Sequence, residues 1–477
     1  MSWQPLLQGT LAERAQDTMR AILDDLSPLA SEPDGDPSLA SGDAGLAILH
    51  GYLAQSGAGV EHAEIALRCI ERALAAMADK PTEASLYSGL TGVGWALVHL
   101  QGRLSKPEKE TGPLESQVPS PFRVADLEGE DELADIDHAL LHHLEQSPWR
   151  EDYDLVSGLV GFGVYALERM TRPEKGDGTC ELRGPVPFFG PPAASACLER
   201  VVERLEETAE RRNKGLTWWT NPDWLPTETR EKYPRGYYNL GLAHGVPGVI
   251  AILGLICAAA SGKGDGTPNL TCPVPFSGPA VVSAKTRPML DGAVHWLLAQ
   301  QQPGGFAHWV QPEAVDGPAR LAWCYGDPGV AAALLGTARS VREPTWEREA
   351  VAIARRAAER PPQQAGVRDA GLCHGAAGLG HLFNRMFQAT GEPQLGAAAS
   401  YWFEQTLAMR RPGPGRQGIG GYHAWRLDDA GESTWVTDPG LLTGSTGIAL
   451  ALLAATTPVE PSWDRMLLVD IPPTCPS

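Results

Sequence analysis

Two short stretches set a thiol beside a phenol or an imidazole: Trp323-Cys324-Tyr325 and Leu372-Cys373-His374, each followed directly by glycine. Cys324, Cys373 and His374 together are a donor set that zinc accepts at about 2.0–2.3 Å. Three protein ligands leave a fourth position for water or substrate, as in catalytic rather than closed structural sites. Taken singly, each cysteine reads as a small buried hydrophobe, because free cysteine is among the most buried residue types. The other six, Cys69, Cys180, Cys197, Cys257, Cys272 and Cys475, have no such neighbours and read as packing or surface residues.

What separates Cys324 and Cys373 from the rest is a repeat. A small or polar residue, Gly, two variable residues, Gly and an apolar run recur seven times, beginning at Ser41, Ser88, Ser157, His244, Tyr325, His374 and Thr443. The first glycine permits a sharp turn and the second lets a helix start close to a neighbour. The run that follows is apolar nearly all round, which requires burial on every side. Ahead of most units lies a more charged stretch with apolar residues at three- and four-residue steps, as in His62 to Ala78, Leu133 to Leu144, Glu199 to Arg211, Trp346 to Glu359 and Gln394 to Met409. These read as outer helices. Seven outer and seven inner helices joined by glycine turns predict an all-α fold, an α/α toroid, since closure buries the edges that an open stack exposes. A single domain over residues 1–477 is expected, with Pro/Gly-rich or charged insertions near 101–132, 171–192 and 261–277.

If the seven turns are equivalent, they converge at one end of the ring, and their exceptions meet there. Immediately before the first glycine stand Ser41, Ser88, Ser157, His244, Tyr325, His374 and Thr443; one position earlier stand Ala40, Tyr87, Val156, Ala243, Cys324, Cys373 and Leu442. Two adjacent units therefore offer cysteine in matching places. Four before the glycine, Asp154 is the one charge among Ser38, Ser85, Asp154, Gly241, Ala322, Gly371 and Gly440. An imidazole at His244 could give or take protons near neutral pH, although a lone His opening an apolar run is usually a core or cap residue. Tyr325 could donate to a substrate oxygen or pack the turn. Asp154 could orient His244 or cap its helix. Arg320, four residues before Cys324, could stabilise developing negative charge or be one more solvated arginine.

The bulk properties exclude other classes. A net charge of -19 and a pI near 5.1 do not suit a nucleic-acid surface, which needs a basic face. The N-terminal residues lack a basic start and apolar block, so no secretory signal is read and a cytoplasmic protein is expected. Eight cysteines in 477 residues are too sparse for a disulfide scaffold and favour metal binding or chemistry. Gly241 to Ala260 is apolar except for His244 and about as long as a bilayer span; its place in the repeat makes it a buried helix, with no membrane insertion.

With Trp323-Cys-Tyr-Gly-Asp-Pro-Gly329, Cys373-His-Gly-Ala-Ala-Gly-Leu-Gly380, Ala243-His-Gly-Val-Pro-Gly248 and the Trp463-Asp-Arg-Met-Leu-Leu-Val469 ending, the chain resembles the lanthionine synthetase C-like family over nearly its whole length. The resemblance implies an α/α toroid with one Zn2+ ion held by Cys324, Cys373 and His374, and further active-site positions at Asp154, His244, Arg320 and Tyr325. It implies a stand-alone cyclase of lanthipeptide (lantibiotic) biosynthesis. Such a cyclase adds precursor-peptide cysteine thiols to dehydroalanine or dehydrobutyrine to form thioether rings. The partners implied are a dehydrated precursor peptide with its leader, a separate dehydratase and a transporter. Two rival readings are a prenyltransferase-like thiol-alkylating enzyme, whose zinc takes Asp, Cys and His, and a toroidal peptide- or glutathione-binding relative with a structural zinc. The two-Cys, one-His set disfavours the first, and a fourth protein ligand would favour the second.

Overall fold

Each glycine unit folds as a tight turn that runs directly into a helix, and the helices alternate between two layers. The computed structural model describes residues 3–28, 35–79, 82–101, 103, 133–171, 191–225, 227–260, 280–311, 317–411, 418–427 and 433–472; most of the three expected insertions, with Cys180, Cys272 and Cys475, lies outside them. The inner layer comprises α2 (Asp43–Gln55), α4 (Leu90–Leu100), α6 (Leu159–Met170), α9 (Val246–Ala260), α11 (Asp327–Ser340), α13 (Ala376–Thr390) and α15 (Ser445–Thr456). The outer layer comprises α1 (Gly9–Leu26), α3 (Glu61–Asp79), α5 (Ala134–Leu144), α7 (Pro192–Thr208), α10 (Ala280–Leu298), α12 (Pro344–Glu359) and α14 (Pro393–Met409); a short helix, α8 (Thr227–Lys232), lies between α7 and α9.

Successive inner helices pack on one another, and α15 returns to α2, which closes the ring. Outer helices α3, α7, α10, α12 and α14 each cover the inner helix that precedes them, α5 packs on α4 and α7, and α1 covers α15. The Trp3 indole N–H donates to the Ala454 carbonyl at 2.7 Å, and the Leu6 and Leu7 amides donate to Ala455, tying the first residues to the seventh inner helix. The division of labour follows sequence chemistry. α12 buries Trp346, Ala350, Ile353, Ala354 and Ala357 on one face, while α15 is buried from Ser445 through Ala455. The α/α toroid expected from the repeat is the observed fold. The apolar run at Gly241 is a turn plus buried α9, and no helix among the described residues is long and apolar enough to cross a membrane.

Backbone hydrogen bonds link the turns sideways into a nearly complete circle. Ala40 N–H donates to Tyr87 O (2.9 Å), Leu155 to Ala243 (3.1 Å), Ala243 to Cys324 (3.4 Å), Cys324 to Cys373 (3.4 Å), Cys373 to Leu442 (2.7 Å) and Leu442 to Ala40 (3.2 Å). Residues in one repeat column therefore stand side by side at the N-terminal ends of the inner helices. This lateral pairing also satisfies backbone groups that a buried loop would otherwise leave unpaired.

The second glycine of each unit is a steric requirement. A Cβ at Gly92 would overlap the Leu86 carbonyl, and at Gly378 the Leu372 carbonyl; both obstacles are backbone and cannot swing aside. Gly92→Ala, in the second turn and not in either turn that carries Cys324 or Cys373, is accordingly expected to lower unfolding free energy by about 3 kcal/mol, measured by denaturant titration. Gly336→Ala, whose added Cβ would meet nothing nearer than 3.5 Å, should be neutral or stabilise by up to about 1 kcal/mol. Equal effects at the two positions would contradict the steric account.

The middle of the ring is filled by residues that follow α15. A 3-10 turn, Ser462–Leu467, buries Trp463, Asp464, Met466 and Leu467. It touches units on several sides: the Tyr87 hydroxyl donates to Met466 O at 2.8 Å, the Trp323 indole donates to Leu467 O at 2.9 Å, and Asp464 receives the His381 imidazole and the Arg385 guanidinium, each at 2.8 Å. The attraction of Asp464 and Asp470 outweighs burial at Arg385 and raises its pKa.

Short strands depart from the purely helical expectation. β1 (Ala209–Arg212), β2 (Gly215–Thr220), β3 (Tyr237–Asn239) and β4 (Trp309–Val310) form an antiparallel sheet in that order. The outer helix expected over Glu199 to Arg211 therefore ends at Thr208, because Ala209–Arg212 pairs with β2. A hairpin of β5 (Ala424–Leu427) and β6 (Ser433–Val436) stands beside the sixth and seventh turns, where Trp425 N–H donates to Asp369 at 2.9 Å.

Candidate active site and metal centre

The sideways pairing of the turns brings Cys324, from the turn before α11, against Cys373 and His374, from the turn before α13. One ligand atom from each lies within 4.8 Å of the others, and among the described residues no other His, Cys, Asp or Glu joins the group. Tetrahedral Zn–S and Zn–N bonds would set these atoms roughly 3.5–3.8 Å apart, a spacing within the span of the group, so the donor set suits a zinc ion. One of the two thiols is also prepared for it. A hydrogen bond from the Cys373 thiol, against the opposing effect of burial and with help from His374 and Arg320, holds Cys324 well below the ordinary thiol range; Cys373, the donor in that pair, is pushed up. His374 Nε2 is 3.7 Å from the buried Asp369 carboxylate, the relation of an imidazole ligand to an outer-shell carboxylate.

Around the sulfurs stand the other expected residues. Burial alone would lower the pKa of His244, but Asp154 reverses this and raises it, through a 2.5 Å contact between Asp154 Oδ2 and His244 Nδ1. The His244 side chain is 40% exposed and that of Asp154 only 9%, so the imidazole presents its free edge outward from a fixed carboxylate. Asp154 also caps its turn: Oδ1 accepts the Ser157 N–H at 2.7 Å. One carboxylate oxygen thus serves the turn and the other faces the imidazole. Neighbouring Asp152 is pushed up to about 7, first by burial and then by the Asp154 charge. Tyr325 lies between two imidazoles, its ring centroid 6.2 Å from His244 and 5.1 Å from His308. Burial pushes its phenol well above the usual range, so it remains a neutral O–H. Arg320 lies close enough to the thiols to favour their ionised forms, and its Nε is buried without a hydrogen-bond partner. All seven expected residues thus gather at one end of the ring.

The model of the "Lanthionine synthetase C-like protein" family matches residues 33–468. The chain belongs to that family. Among curated relatives of this lanthionine synthetase C-like protein, the nisin biosynthesis protein NisC of Lactococcus lactis subsp. lactis is 26% identical over 305 residues, an alignment covering 62% of this chain and 60% of that protein. Among solved structures, nisin cyclase superposes with a TM-score of 0.64 at 16% identity, covering 95% of this chain and 97% of that one, which supports the toroid fold.

The lanthionine synthetase C-like site also contains residues that the repeat columns passed over. Asn239 ends β3, is 1% exposed, and donates from Nδ2 to the Tyr325 hydroxyl at 3.2 Å. Trp309 on β4 pairs with Asn239 in register and meets Tyr325 edge-on at 6.2 Å. Asp369 is the carboxylate behind His374. A signal existed for Asn239. Six residues before the first glycine the units read Asp36, Glu83, Asp152, Asn239, Arg320, Asp369 and Asp438. In that column Asn239 and Arg320 are the non-acidic exceptions, and both lie at the site.

Proposed function

We propose that this protein is a zinc-dependent lanthionine-forming cyclase that adds cysteine thiols of a dehydrated precursor peptide to dehydroalanine or dehydrobutyrine. The observation that carries the reading is the Cys324–Cys373–His374 cluster, a set of three donors that would leave zinc a fourth position, beside an arginine and a carboxylate-backed histidine. Membership of the lanthionine synthetase C-like family and similarity to NisC support it. The absence of a fourth protein ligand among the described residues favours it over a structural metal.

In this reading Cys324, Cys373 and His374 hold the ion. Bound there, zinc would keep an incoming thiol in its nucleophilic thiolate form at neutral pH. The rest of the chemistry belongs to the protein. As the new C–S bond forms at the β-carbon, the alkene electron pair moves toward the neighbouring carbonyl, and negative charge collects on its oxygen. Arg320 and the neutral Tyr325 hydroxyl stabilise that charge. His244, whose protonated form Asp154 favours, then delivers a proton to the α-carbon and regains one from solvent in place of the proton the thiol released, so the net change is addition of S–H across the double bond. Asp154, in contact with Nδ1, holds the imidazole in place for that transfer.

The direct test is incubation with a dehydrated precursor peptide, followed by alkylation of the remaining thiols and mass analysis. One free peptide thiol is expected to disappear for each ring, with no change in peptide mass before alkylation. An unchanged thiol count would reject the cyclase reading. A peptide that gains the mass of a lipid or glutathione would assign a different alkylation.

A further inference from the structure

Asn239 makes two hydrogen bonds that fix its orientation. Its Oδ1 accepts the backbone N–H of Gly241 at 2.9 Å. Because a backbone N–H can only donate, the amide oxygen faces the turn and the Nδ2 group faces Tyr325, whose hydroxyl oxygen it reaches at 3.2 Å. The turn itself does not require an amide. At the matching position of three other units an aspartate accepts the same amide two residues on: Asp36 from Ser38 (2.9 Å), Asp369 from Gly371 (3.2 Å) and Asp438 from Gly440 (2.7 Å). An acidic residue is the ordinary occupant of this column, and the molecule contains its own comparison for what Asn adds.

The difference between Asn and Asp lies entirely at the second oxygen or nitrogen. An aspartate there would accept the Tyr325 hydroxyl proton and turn it toward the turn. The Asn amide donates instead, occupies one lone pair of the phenolic oxygen, and leaves the hydroxyl proton free for another acceptor. Asn239 is held for this task by β3, since it pairs in register with Trp309 of β4, which packs edge-on against the same tyrosine. We propose that Asn239 is a positioning residue that commits the Tyr325 hydroxyl to donate into the active site, toward the substrate carbonyl oxygen. This rests on the cyclase reading and adds to it a determinant outside the residues that touch substrate.

The test is a double-mutant cycle on the zinc-loaded, full-length protein, with peptide thiol loss as the rate and zinc content and melting temperature measured alongside. Asn239→Asp retains the turn acceptor and should keep zinc content and melting temperature close to wild type. Its kcat should fall about tenfold with KM little changed. In a Tyr325→Phe background the same substitution should have almost no further effect, because the hydroxyl it acts on is gone. Should the aspartate variant fail to fold, Asn239→Ser, which can still cap the turn but is too short to reach the phenol, enters the same cycle with the same non-additivity expected. Wild-type kcat in Asn239→Asp, or an equal fold loss in both backgrounds, would overturn the positioning role while leaving the cyclase reading intact. A wild type that consumes no peptide thiol overturns the cyclase reading and this proposal with it.

Discussion

Cys373→Ala is expected to remove metal and activity together. In the proposed site Cys373 would supply one of three donors, and it makes the hydrogen bond that holds the Cys324 thiol low, so its loss would leave two ligands and a less acidic partner. Zinc content should drop from about one ion per chain to less than about a tenth of that. Thiol loss from a dehydrated peptide should slow by on the order of a thousandfold or more. Cys69→Ala and Cys197→Ala are the controls: both thiols are buried away from the cluster, pushed up to about 11 and about 12 chiefly by burial, and neither should change zinc content. Full thiol consumption by the Cys373 variant, or zinc loss in the controls, would defeat the metal assignment.

His244→Ala should separate chemistry from metal binding. The imidazole is not in the donor cluster, so zinc content should stay at the wild-type level while kcat for thiol loss falls by about a hundredfold to a thousandfold. Asp154→Asn should be milder, about tenfold, because an amide oxygen can still accept the Ser157 N–H while the charge behind His244 is lost. A His244 variant that cyclises at the wild-type rate would remove it as the proton donor. One that loses zinc would make it part of the metal site.

The layers of the toroid were legible because their chemistry differs so sharply. A helix such as α15, apolar on every face, has one kind of place to go, and the seven glycine pairs mark where each begins. The turn columns were informative for the same reason. Lateral backbone pairing makes them true neighbours, so Cys324 and Cys373, which belong to successive units of the repeat, could be read as adjacent despite the two helices that separate them in the chain. Asn239 stands out in its column as an amide among acids, but its role was not legible there. Its partner Tyr325 is 86 residues away, and its meaning emerges only once the hydrogen bond to Gly241 settles which end of the amide is which. The strands give no signal because β3 and β4 are three and two residues long, too short for alternation to register, and β1 continues a charged stretch that reads as helix. Arg320 is exceptional in the column six before the glycine, a position whose acidic majority becomes intelligible only when its side chains are seen capping the turns.

The segment that fills the ring sets an order of assembly. Ser462–Leu467 is translated after all seven inner helices, yet it braces the turn that carries Cys324 through the Trp323 indole and the second turn through Tyr87. Until those residues are in place, the turns lack the backbone partners that brace them from the middle of the ring. Metal loading at the proposed site is therefore expected to need this hub, and a chain stopped after α15 should hold zinc less tightly than one that carries it.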